Sequence, residues 1–170
     1  MRKKINIWEI VGFFVVVALG CILHFVYEWS GYAMVVAPFS AINESTWEHM
    51  KILFVPFFGF ALLERVFLGR VRGFWRAKLA GALVGISLIP VLFYTYNGVV
   101  GKSPEWLNVG IFVIAAACAF LIGRSSMRER REGGGIDISL GAMCVLAALF
   151  FVFSFVQPPL AIFASPPLVG

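Results

Sequence analysis

The sequence predicts an all-α fold, a polytopic transmembrane helix bundle, and three observations predict it. Hydrophobic residues make up 61% of the 170 and charged residues only 14%, at a mean hydropathy of +0.91, whereas a soluble domain carries roughly 25% charged residues. The apolar residues gather into five runs, each near the roughly 20 residues a helix needs to cross a bilayer. Lysine and arginine fall in blocks beside alternate connections, as cytoplasmic loops do. A single transmembrane domain is expected over 1–170. The net charge of +5 is spread in blocks along apolar runs, which excludes a nucleic-acid surface.

The first run, about 7–27, follows Arg2, Lys3 and Lys4, with Glu9 near its start and His24 near its end. It imitates a secretory signal, but continues through Leu23-His24-Phe25-Val26-Tyr27-Glu28 without a small-residue cleavage site, so it is read as a membrane helix. The further runs are expected at about 46–68, 79–97, 107–123 and 138–157, and Pro158-Pro159 ends the last, since proline cannot continue the hydrogen-bond ladder. Arg70, Arg72, Arg76 and Lys78 join the second and third runs; Arg124, Arg128, Arg130 and Arg131 join the fourth and fifth. The other connections hold only Lys102 and, at its edge, Lys51. This alternation puts the N-terminus in the cytoplasm and the C-terminus outside.

Several stretches are not spans. Segment 31–42 is apolar but too short to cross, and is expected to re-enter the membrane or lie along its outer interface. The apolar tail from Ala161 poses the same question. Gly133-Gly134-Gly135 belongs to a solvated loop and matches no phosphate-binding frame. Cys21, Cys118 and Cys144 lie in three different apolar runs without metal-ligand spacing, and read as buried free thiols. No internal repeat divides the chain, so any transporter symmetry would have to come from a homo-oligomer.

The chemistry is concentrated in Asn43-Glu44-Ser45-Thr46-Trp47-Glu48-His49-Met50-Lys51. Polar groups are costly in lipid, so such a cluster must be at the membrane edge, internally paired or functional. Asn43 or Ser45 can cap the second helix, and Ser45-Thr46-Trp47-Glu48 reads as a capping box in which Glu48 reaches back to the helix start. Only twelve residues separate Lys51 from Glu64, about 18 Å of helix against a hydrocarbon core of about 30 Å. One end must therefore sink, and Pro56, which frees the carbonyl of Ile52, is expected to kink the helix below the outer cluster. His24 and Glu28 share one face of the first helix at the same end. The candidate ligand-binding residues are His24, Glu28, Asn43, Glu44, Ser45, Trp47, Glu48, His49 and Lys51, with Tyr27, Tyr32, Tyr94, Tyr96 and Asn97 at the same level. Glu28, Glu44 and Glu48 against Lys51 leave a formal −2 with neutral histidines, which favours a cationic ligand.

Asn43-Glu44-Ser45-x-Trp47-Glu48-His49-x-Lys51, preceded by His24-x-x-Tyr27-Glu28, resembles the signature of an uncharacterised family of small multipass membrane proteins found mainly in Gram-positive bacteria. The resemblance implies a bacterial plasma-membrane protein and transfers no catalytic residues. The residues leave three functions open. The first is an outward-facing, partly buried site that takes up a proton, a metal ion or a small cationic solute, for transport. The second is a membrane-embedded metal-dependent hydrolase with His24, Glu28, Glu48 and His49 as ligands of a divalent ion. The third is an assembly subunit whose cluster only caps and pins helices. The expected partners are the lipid bilayer, a small cation or polar solute, and further copies of the chain.

Overall fold

The computed structural model describes residues 2–68, 71, 73–101, 104–129 and 138–165. They form five α-helices: α1 (Arg2–Trp29), α2 (Thr46–Leu68), α3 (Phe74–Val100), α4 (Glu105–Glu129) and α5 (Ser139–Phe153), followed by a 3-10 turn at Ala161–Phe163. Three stretches are long and apolar enough to cross a membrane, Arg2–Trp29, Phe74–Val100 and Trp106–Met127. The helices run past the sequence expectation at their basic ends. Lys78, assigned above to a loop, lies inside α3, and Arg124 lies inside α4.

The chain alternates direction, and polar contacts fix which ends meet. Lys78 of α3 reaches both Glu9 of α1 and Glu64 of α2, and a side-chain atom at Gly123 of α4 would stand 3.9 Å from Glu9. At the other end His24 of α1 approaches Glu44 just before α2, Thr46 of α2 meets Tyr94 of α3, and Asn108 of α4 shares a cavity with them.

Helix α2 is the hub and packs against each of the other four helices. Its buried residues include Met50, Leu53, Phe54, Phe57, Phe60, Ala61 and Glu64, so apolar groups surround it rather than line one stripe. The helix runs through Pro56 without a break. Gly20 of α1 backs onto that proline's unbonded carbonyl; a side-chain carbon there would stand 3.2 Å from the Ile52 oxygen. Around this hub α1 turns Ile5, Glu9, Gly12, Val16 and Gly20 inward and leaves Ile7, Ile10, Val11, Phe14, Ile22 and Phe25 exposed. Two glycines and a glutamate among the inward residues, with the bulkiest apolar residues outside, depart from the soluble pattern and suit a helix that faces lipid.

The three cysteines are free, but Cys21 and Cys144 are exposed on this apolar surface and Cys118 is half-buried, so the expected burial does not hold. Segment 31–42 forms a run of turns, opened by left-handed backbone at Gly31 and Tyr32, and is one-sided. It turns Ala37, Ser40 and Ala41 inward and Tyr32, Met34, Val35 and Phe39 outward. The tail folds back on α2, with the Phe163 ring 4.8 Å from Trp47, which also packs on Phe150 at 4.7 Å. The triple glycine at 133–135 and Pro166-Pro167 lie outside the described residues.

Candidate metal centre

The polar stretch divides in two because α2 begins at Thr46. Asn43 Oδ1 accepts the backbone N–H of Ser45 at 2.9 Å, a tight turn typical of Asn before a helix. Ser45 Oγ then accepts the Glu48 N–H at 3.4 Å as the cap. The capping box is only half made. Glu48 reaches past Ser45 and accepts the Ile42 N–H at 3.0 Å instead.

Glu48 and Lys51 form the inward half. Both side chains are fully buried and their charges pair at 2.5 Å. Lys51 also donates to the Ala37 carbonyl at 2.7 Å and to Ser154 Oγ at 2.8 Å. Gln157 donates to Glu48 Oε1 at 3.5 Å and accepts from Asn43 Nδ2 at 3.2 Å. The network ties α2, segment 31–42 and the end of α5 together. Its lysine has no donor to spare for a ligand, and its carboxylate is already matched.

The outward half is smaller. His24 Nε2 lies 3.5 Å from Glu44 Oε1 and His49 Nε2 lies 3.9 Å from Glu44 Oε2. One ligand atom from each of the three residues falls within 4.8 Å of the others, and the imidazole centroids are 5.3 Å apart. His49 Nδ1 stands 2.9 Å from the Ser45 carbonyl. A carbonyl can only accept, so Nδ1 carries the proton and the Nε2 lone pair turns toward Glu44. That is the second contact a metal-ligating histidine ordinarily makes. The Glu44 side chain is 59% exposed while the imidazoles are 24% and 20% exposed, so the carboxylate closes the cluster from outside.

A cavity of about 300 Å³ opens beside it, walled by Cys21, Phe25, Ile52, Val109 and Phe112 and joined by Asn108. Asn108 Oδ1 and His24 Nδ1 are buried without a partner. Asn108 is uncharged and stands apart from the polar stretch in the sequence, so nothing in the sequence singles it out.

The structure thus brings His24, Glu44 and His49 together. Glu28, expected among the ligands, is exposed at the end of α1, and its side chain makes no polar contact among the described residues. Glu48, also expected in the metal set, is held by Lys51 in the inward half, and with Glu28 outside the cluster the formal −2 falls to −1, the charge of Glu44 once Glu48 and Lys51 offset each other. Tyr94 bonds Thr46 and the Ala161 carbonyl and Asn97 bonds the Phe93 carbonyl. Neither faces the imidazoles.

Fold and site define a helical protein with membrane-length apolar helices and a paired-imidazole and carboxylate cluster at one end of its bundle. The chain belongs to a family of unknown function, DUF6512, whose model matches residues 1–166. No curated protein and no solved structure matches the chain.

Proposed function

We propose that this chain is a five-span membrane protein, N-terminus in the cytoplasm and C-terminus outside, whose outward-facing His24–Glu44–His49 cluster binds a divalent transition-metal ion. The observation that carries the reading is the convergence of two imidazoles and one carboxylate within 4.8 Å, with His49 already oriented by the Ser45 carbonyl. Two neutral nitrogens and one carboxylate suit zinc or a similar borderline ion. Ligands about 2.0–2.2 Å from such an ion stand roughly 3.4 Å apart at tetrahedral angles. Glu44, on the loop before α2 and largely exposed, is the member free to close the remaining distance.

Three ligands leave a fourth position, and the adjoining cavity is where it opens. The cavity and the unpartnered Asn108 Oδ1 favour, as a second reading, metal-assisted hydrolysis of a substrate entering from outside, with the ion lowering the proton affinity of a bound water.

Purified protein is expected to hold one zinc ion per chain, measured by elemental analysis after exhaustive dialysis. His24→Ala and His49→Ala should each lower affinity at least ~100-fold and Glu44→Gln ~10-fold or more, by analogy with the loss on removing metal-supporting groups. Glu28→Gln should leave binding unchanged. A wild type without stoichiometric metal, or a His49→Ala variant that keeps it, would remove the proposal.

A further inference from the structure

The opposite end of the bundle holds a second ionisable cluster that the metal reading does not use. Glu9 of α1, Glu64 of α2 and Lys78 of α3 are 3%, 0% and 0% exposed. Lys78 Nζ lies 2.7 Å from Glu9 Oε1 and 2.5 Å from Glu64 Oε2, so one ammonium holds two carboxyl groups at once. The rings of Phe57, Phe74 and Phe120 surround that ammonium at 5.5, 5.6 and 5.2 Å, where their faces favour a cation. Glu9 is fifteen residues before His24, about 22 Å of helix, so the two sites are separate.

We infer that Glu9 and Glu64, held by Lys78, form a proton-binding site that takes up and releases one proton through a cavity between α1 and α4. Charge balance is the first ground. In direct contact two carboxylates face one ammonium, Arg124 lines the cavity beside Glu9 without an ion pair to either acid among the described residues, and one added proton neutralises the triad.

Access is the second. Glu9 Oε2 is buried without a hydrogen-bond partner, and Glu9 lines a cavity of about 280 Å³ whose other walls include Ile10, Phe13, Phe14 and Leu121. The fourth helix contributes Arg124, which lines the same cavity with its Nε buried and unpartnered. Arg65 lies over the Phe74 ring at 5.6 Å.

The ligand follows from this wall. Arg124 repels a second cation, and among the described residues the cavity offers no imidazole, thiolate or second carboxylate to coordinate a metal. A proton needs one lone pair, and Glu9 Oε2 provides it.

A hydrophobic carbodiimide tests the inference on the intact protein in membranes. A protonated carboxyl gives its proton to a carbodiimide nitrogen while its oxygen adds to the central carbon, and the product rearranges to a stable N-acylurea detectable by peptide mass. The expected result is one adduct on Glu9, falling at least tenfold as pH rises. Glu64→Gln leaves one carboxylate per ammonium and should cut labelling at neutral pH at least tenfold; Lys78→Met should extend it to higher pH. Infrared difference spectra of the wild type across the same pH step should show the carbonyl band of a protonated acid disappearing, which needs no variant to fold. Absence of that band together with an unlabelled Glu9 at every pH would overturn the inference. So would labelling indifferent to pH, or protection of Glu9 by a divalent cation or by added phospholipid.

Discussion

At the scale of single residues, adjacency in sequence does not group the polar side chains by role. Glu44 and Glu48 are four apart, yet Glu44 sits on the loop with the imidazoles and Glu48 is sealed against Lys51. Which residues are polar, and that His24 belongs with them, was legible from the chain. The direction of each side chain was not, because it depends on where α2 starts, and the Asn43 turn sets that start at Thr46. The short apolar interval between Lys51 and Glu64 has a resolution that periodicity could not supply. Both ends are buried, each charge meeting a partner from another element: Lys51 the Ala37 carbonyl and Ser154, Glu64 the amine of Lys78. The Glu48–Lys51 pair is accordingly a fastener, and its energetics are testable. Lys51→Met strands a buried carboxylate and should cost about 3–5 kcal/mol, while the double variant Glu48→Gln/Lys51→Met should recover most of the loss. Thermal or denaturant unfolding in detergent measures both. Equal loss in the single and double variants would mean that the remaining bonds to Ala37, Ser154 and Ile42, not the ion pair, hold the network.

At the scale of elements, α3 and α4 make the closest union in the bundle, and small residues explain it. Gly81 and Gly85 are four apart on α3 and meet Ala115 and Ala119, also four apart, on α4. Such pairs of small residues let helix backbones approach where no hydrophobic drive exists between apolar surfaces. This spacing was present in Gly81-Ala82-Leu83-Val84-Gly85 and was legible, but what it faces was not, because the partner helix begins some twenty residues later in the chain. A side-chain carbon at Gly81 would stand 2.3 Å from the Ala119 carbonyl oxygen, which is backbone and cannot swing aside. Gly81→Ala should therefore force the helices apart at a cost of about 1–3 kcal/mol. Gly110, on the same α4, meets nothing within 4 Å, so Gly110→Ala should be neutral or stabilise by about 0.5–1 kcal/mol through helix propensity alone. Unfolding midpoints of the two variants side by side check the contrast. Equal effects would show that the glycines matter for backbone freedom and not for approach.

At the scale of the whole molecule, the contacts at the two ends turn a charge count into a topology. Lys3, Lys4, Arg65, Lys78 and Arg124 all lie at or beside the end where Glu9 meets Glu64. Among the described residues the His24 end holds one lysine, Lys51, and its charge is consumed by Glu48. The described residues therefore keep the asymmetry seen in the sequence: the metal cluster lies at the end poor in lysine and arginine, and the acid cluster at the rich one. Lysine and arginine near span ends mark the cytoplasmic side, so in the proposed topology the metal cluster faces out and the proton site faces in. Single cysteines in a background with Cys21, Cys118 and Cys144 changed to alanine test this through an impermeant maleimide applied to intact cells. Trp29→Cys and Val99→Cys, at exposed positions of 69% and 81% near the ends of α1 and α3, should label without permeabilisation. Lys3→Cys and Ser125→Cys, exposed at the opposite ends of α1 and α4, should label only after it. The reverse pattern would turn the His24–Glu44–His49 cluster toward the cytoplasm. A metal bound there would then be drawn from the interior of the cell, and the acid cluster would exchange its proton with the outside.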